Sequence, residues 1–81
     1  MNYKLKDNIT LRKLKENNFE VHNGTIWYEI EYGIYLSFDF ETLDYIGIEM
    51  FYLLETETAK EKEILGFEKL RKLCLVEVIE W

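Results

Sequence analysis

The chain contains no proline, a single alanine, a single cysteine, a single histidine and four glycines in 81 residues. One cysteine excludes an intramolecular disulfide, and one cysteine with one histidine falls short of the ligand set of a structural zinc site. Gly24, Gly33, Gly47 and Gly66 are too scattered to cradle a phosphate. No apolar run approaches the ~18 residues that span a bilayer. The opening MNYKLKDNITLRKLK has no apolar stretch of the kind a secretory signal needs. A cytoplasmic location is therefore expected, and a lone Cys74 suits a reducing compartment. With no cofactor motif, repeat or low-complexity linker, no cofactor and no metal are expected.

What is present is bulk. Hydrophobic residues make up 48% of the chain, including 5 Phe, 6 Tyr and 2 Trp. A chain of this length buries only about 60–65% of the surface its unfolded form exposes. Without a disulfide or metal to help, its apolar side chains must be large, since each buried Å² contributes roughly 25 cal/mol. Residues 1–81 are expected to form one domain. The wealth of Ile, Tyr and Phe and the near-absence of Ala favour strands in the middle of the chain.

Hydrophobic spacing predicts the elements. Leu11 and Leu14 repeat at i, i+3 beside Arg12, Lys13 and Lys15, with Thr10 or Asn8 as a cap, which reads as a first helix ended by Asn17-Asn18. Phe19 and Val21 return the chain to the core, and Asn23-Gly24 is a turn. The period then changes to two. Ile26, Tyr28, Ile30 and Tyr32 share one face, with Thr25, Trp27, Glu29 and Glu31 on the other. After Gly33, Ile34, Leu36, Phe38 and Phe40 oppose Tyr35, Ser37, Asp39 and Glu41. A hairpin loop over 41–44 leads to a third strand, in which Ile46, Ile48, Met50, Tyr52 and Leu54 oppose Tyr45, Gly47, Glu49, Phe51 and Leu53. Residues 56–62 are charged and helix-permissive, and Ile64, Phe67, Leu70 and Cys74 follow helical spacing. Residues 75–81 fit either a helix extension or a further strand. The expected fold is α+β: a three-stranded antiparallel meander packed by N- and C-terminal helices, α-β-β-β-α, with a fourth strand at the C-terminus as the open alternative.

Charge is partitioned along the chain. Residues 1–15 carry five basic groups and one acid, residues 60–81 carry five of each, and residues 16–59 carry ten acids with no Lys or Arg. The acidic block coincides with the meander. Acids at i, i+2 on a strand lie about 7 Å apart. Such a single-signed face repels nucleic acid and attracts a basic partner. Glu29, Glu31, Asp39 and Glu49 fall on the polar face, with Glu41 and Asp44 at one loop, and Trp27, Tyr35, Tyr45 and Phe51 are interleaved with them. Aromatics among acids fit a protein-binding surface. The competing readings are a merely solvated face for the acids and burial under the C-terminal helix for the aromatics.

Catalytic chemistry finds little support. His22 lies beside a turn with no evident partner and reads as a surface histidine, and Cys74 reads as a small buried apolar residue. Carboxylate pairs such as Glu29 and Asp39 would need a cleft to shift their titration, and no Asp-rich calcium loop occurs. No enzyme is expected. Direct nucleic-acid binding by the basic N-terminal helix with Lys69, Arg71 and Lys72 is opposed by the net charge of -6.

In type, the chain resembles the small, acidic, proline-free inhibitors encoded by phages and mobile elements, such as anti-CRISPR and anti-restriction proteins; immunity proteins against basic nucleases share the logic. The likeness rests on size, charge and α/β make-up, so it carries over no functional residue. It implies a stoichiometric inhibitor whose face of Trp27, Glu29, Glu31, Tyr35, Asp39, Glu41, Asp44 and Glu49 occupies a basic nucleic-acid-binding site on a partner protein, for instance a defence enzyme. Duplex DNA carries about one charge per 1.7 Å of axis, far more than this sheet, so any mimicry is local and partial. The alternative is a self-associating structural or regulatory module, a homodimer in which the basic helix of one copy meets the acidic sheet of the next.

Overall fold

A computed structural model describes residues 2–51 and 59–79. The expected end of the third strand (52–54), the start of the charged segment (56–58) and residues 80–81 lie outside the described residues. The order is β1 (Asn2–Leu5), α1 (Leu11–Glu16), β2 (Phe19–His22), β3 (Thr25–Glu31), β4 (Ile34–Asp39), β5 (Tyr45–Met50), α2 (Ala59–Lys72) and β6 (Val76–Ile79). The class is α+β with antiparallel sheets and two helices, as expected, but with six strands in place of three. β2–β5 form a four-stranded meander, and β1 pairs with β6 in a separate two-stranded sheet.

Local chemistry accounts for most of these boundaries. The Thr10 hydroxyl accepts from the Lys13 N–H and starts α1, and Asn18, at a φ of 67°, ends it. Asn23 and Gly24 both adopt positive φ, as the two-residue hairpin between β2 and β3 requires. The Asp39 carboxylate accepts from the N–H groups of Glu41 and Thr42, which closes the loop before β5. Because these N–H groups favour the ionised form, the Asp39 carboxyl titrates below its ordinary value.

The core lies between the inner face of the meander and α2, which crosses β3, β4 and β5. Ile26, Tyr28, Ile30, Ile34, Leu36 and Phe38 meet Phe67 and Leu70 there, with Leu5, Leu14, Phe19, Leu75 and Val76 closing the ends. Phe67 is the hub: Tyr3 stacks on it at 3.8 Å, and Tyr45 meets it edge-on at 4.8 Å. Gly66 lets the helix come close, because a Cβ there would fall 2.8 Å from the δ-carbons of both Ile30 and Leu36. The glycine that weakens the helical pattern in sequence is thus a packing requirement.

Two β-bulges redirect side chains. The pairing of β3 with β4 shifts between Glu29 and Glu31, and that of β4 with β5 shifts between Ser37 and Phe38. An extra residue reverses the alternation beyond it. Tyr45, expected among the acids, therefore turns inward against Phe38 and Phe67, and its hydroxyl donates to the Glu63 carboxylate. Burial, then Glu63, push the Tyr45 phenol strongly upward. Ile46, expected in the core, is 59% exposed. Tyr32 and Phe40, also expected on the apolar face, sit in the turns beyond their strands and are exposed.

The helix α2 stops at Lys72, two residues short of the Cys74 that continues the spacing of Phe67 and Leu70. The Cys74 N–H donates to Arg71 and the Leu75 N–H to Leu70, with Cys74 at a φ of 60°. These are the paired bonds of a Schellman cap, with a cysteine where glycine is usual. Cys74 is consequently exposed rather than buried, and Ile64, on the same expected stripe, is exposed as well. The chain beyond the cap enters β6, so the described part of the tail is strand. No helix among the described residues is long and apolar enough to cross a membrane.

Candidate functional site

The outer face of the meander is set by three cross-strand rows. Glu20 opposes Trp27, which opposes Ser37, which opposes Gly47. Glu29 opposes Tyr35, which opposes Glu49. His22, Thr25 and Asp39 form the row at the turn end. Alternation places all of them opposite the buried Phe19, Ile26, Tyr28, Leu36 and Phe38 and the partly buried Val21. No described element packs over this face, since α2 occupies the other.

Aromatic side chains form its centre. Tyr35 meets Trp27 edge-on at 6.3 Å and Phe51 edge-on at 5.8 Å. Such perpendicular pairs are favourable, at about 0.5–1.5 kcal/mol each beyond burial. Phe51 is 69% exposed, while Trp27 and Tyr35 are half-buried. Beneath them Ser37 is only 2% exposed, and its hydroxyl donates to the Gly47 carbonyl at 2.9 Å. The three rings therefore lie neither in the core nor under α2. They form a second, open apolar layer.

Carboxylates surround that layer. The Tyr35 hydroxyl donates to Glu29 at 3.2 Å. Tyr35 titrates above its ordinary value, first through burial and then through Glu29, with Glu20 acting in the same direction. Glu49 flanks Tyr35 on the other side, about 10 Å from Glu29 by the strand spacing. A groove of about 380 Å³ runs along the face, lined by Glu20, His22, Thr25, Trp27, Tyr35 and Phe51.

Of the eight residues singled out in the sequence, the structure unites four: Trp27, Glu29, Tyr35 and Glu49. Glu31 belongs elsewhere. The bulge turns it toward α2, where it meets the buried Lys62 ammonium at 2.7 Å. One helical face further along, Lys69 donates to the Ile30 carbonyl at 3.3 Å, so two lysines seven residues apart on α2 hold the bulge. Asp39 is engaged in its turn, and Glu41 and Asp44 are exposed at the loop end, where the Asp44 backbone forms an isolated antiparallel β-bridge with Lys4 of β1. These three acids border the aromatic layer rather than surround it. Glu20 was missed. Its signal was available in Phe19-Glu20-Val21-His22, where period-two alternation precedes the Asn-Gly turn.

Among the described residues no Lys or Arg belongs to β2–β5, the strands that form this face. Lys62 and Lys69 are engaged beneath the sheet, Arg12, Lys13 and Lys15 are on α1, and Arg71 and Lys72 are at the end of α2. Among the described residues no three His, Cys, Asp or Glu side chains converge as a metal site. No family matches the chain, and neither a curated protein nor a solved structure matches it.

Proposed function

We propose that the protein is a non-enzymatic, stoichiometric inhibitor that uses the outer face of its meander to occupy a basic nucleic-acid-binding site on another protein. The observation that carries this reading is the edge-to-face layer of Trp27, Tyr35 and Phe51, left open and bordered by Glu20, Glu29 and Glu49. A face meant only to be wet has no use for three large rings. Aromatics at the centre with charge around them are the composition of a binding hot spot and its surroundings. Opposite charge accelerates encounter, and ring burial slows dissociation. Carboxylates about 10 Å apart are too sparse to copy a phosphate backbone, so affinity rests on the rings as much as on the field.

The test starts with affinity capture from host lysate at about 50 mM salt, where charge steering is strong, and at about 500 mM, where it is screened. The captured protein is then loaded with its nucleic acid and titrated with this chain. Release of the nucleic acid at one equivalent is the expected result. Formation of a ternary complex, with the nucleic acid still bound, contradicts the inhibitor reading.

A further inference from the structure

We propose that the groove on the outer face captures an arginine side chain of the protein partner, with the guanidinium lying against the ring of Trp27 and forked onto the carboxylate of Glu20. This rests on the acidic-face reading above and specifies which basic chemistry the face selects.

The groove is built for a planar cation. Trp27 and Tyr35 stand at 86° to one another, so they form two walls of a slot, with Phe51 beyond Tyr35. Glu20 and Trp27 are direct cross-strand neighbours, which brings a carboxylate alongside the indole. Among the described residues the Glu20 carboxylate has no hydrogen-bond or ion-pair partner, whereas Glu29 is already engaged by Tyr35. Glu20 is therefore the acid available to a guest, and Glu29 adds negative field from a fixed position. The volume of about 380 Å³ accommodates a whole long side chain. Among the described residues, the strands that form the face carry no Lys or Arg to compete.

Arginine fits this arrangement better than lysine. Its guanidinium is flat and weakly hydrated, stacks on aromatic rings and presents a fork of donors to a carboxylate. An ammonium is a compact, strongly hydrated charge that gains from the field but little from the slot. A nucleic-acid-binding groove is where arginines are concentrated, so the preference would direct the inhibitor to such a site.

The full-length protein, labelled for NMR, is titrated with a capped arginine–glycine repeat peptide and with a lysine–glycine peptide of equal length and charge. The arginine peptide is expected to shift the Trp27 indole signal saturably and to bind roughly three- to fivefold tighter than the lysine peptide. Trp27→Ala should reduce the arginine affinity to the lysine level while the signals of Leu36 and Phe38 stay in place. Glu20→Gln, which leaves every ring intact, should also lower the arginine-to-lysine ratio. Equal affinity for both peptides, with the ratio unmoved by either variant, overturns the arginine slot and leaves the acidic-face reading standing. Absence of any shift at Trp27 or Tyr35 with either peptide overturns it too. Displacement of nucleic acid from the partner judges the broader reading separately.

Discussion

On the inner side of the four-stranded sheet, Ile26, Tyr28, Ile34, Leu36 and Phe38 are buried against α2. One residue along the same strands, on the outer side, Trp27, Glu29 and Tyr35 meet no described element. The two sides use the same backbone and similar aromatic content, but they differ in what the rings touch. Inside, Phe67 joins Tyr3, Phe38 and Tyr45 into a closed cluster. Outside, Trp27, Tyr35 and Phe51 touch one another and then solvent. Charge separates likewise. The carboxylates Glu31 and Glu63 are engaged internally, by the Lys62 ammonium and by the Tyr45 hydroxyl, whereas Glu20 and Glu49 project outward. The inner side determines whether the chain folds. The outer side carries the proposed binding surface, and substitutions should divide along that line.

The largest effect is expected at Leu36, which is fully buried beneath Gly66. Leu36→Ala should cost about 3–5 kcal/mol, much of the 5–15 kcal/mol that holds a small domain together. Chemical denaturation measures this directly, and a loss below about 1 kcal/mol would break the assignment of that face as core.

A pH series sharpens the same division. The Tyr45 phenol titrates well above its ordinary value because it is buried beside Glu63. A raised value in the folded state means that the unfolded chain releases its proton first. This contribution is complete below about pH 10 and is lost as pH rises further. Tyr45→Phe should make the alkaline fall in melting temperature less steep. Tyr35→Phe on the outer side should change it less. Identical alkaline slopes in all three proteins would contradict the inner position of Tyr45.

A smaller effect of opposite sign is expected at the α2 cap. Cys74 holds a positive φ that glycine adopts without strain. Cys74→Gly should stabilise the protein by about 0.5–1 kcal/mol. Were Cys74 a core residue, the same change would destabilise it, and thermal melts distinguish the two.

The regular parts of the fold were legible in the sequence. Period-two alternation correctly separates Trp27 and Glu29 from Ile26 and Tyr28, and Tyr35 from Leu36, and the Asn23-Gly24 turn and the Thr10 cap are where their chemistry puts them. What could not be read is what depends on distant partners. Asn2–Leu5 is a short, half-polar segment whose strand character comes from pairing with Val76–Ile79 at the far end of the chain. The irregularity at Ile30 is equally hidden, because no residue there marks an inserted position, whereas at Ile46 the neighbouring Gly47 is the one available hint; each reverses the alternation after it. Alternation alone therefore puts Glu31 and Tyr45 on the wrong side. Asp39 illustrates another limit: it lies in the acidic row, but its carboxylate is committed to two backbone N–H groups. Charge reversal at Glu31 or Asp39 would therefore disturb the fold, which is why the decisive variant leaves both untouched.

That variant is Glu20→Lys, Glu29→Lys and Glu49→Lys together, compared with the unaltered protein for both thermal stability and affinity toward the captured partner. Glu20 and Glu49 are exposed, where changes usually shift stability by no more than about 0.5 kcal/mol each. Half-buried Glu29 gives up one hydrogen bond from Tyr35, a loss of about 1 kcal/mol, so a cooperative melt at a modestly lower temperature is expected. Binding should be lost. A triple variant that folds and still binds the partner with unchanged affinity would contradict the assignment of the outer sheet face as the binding surface.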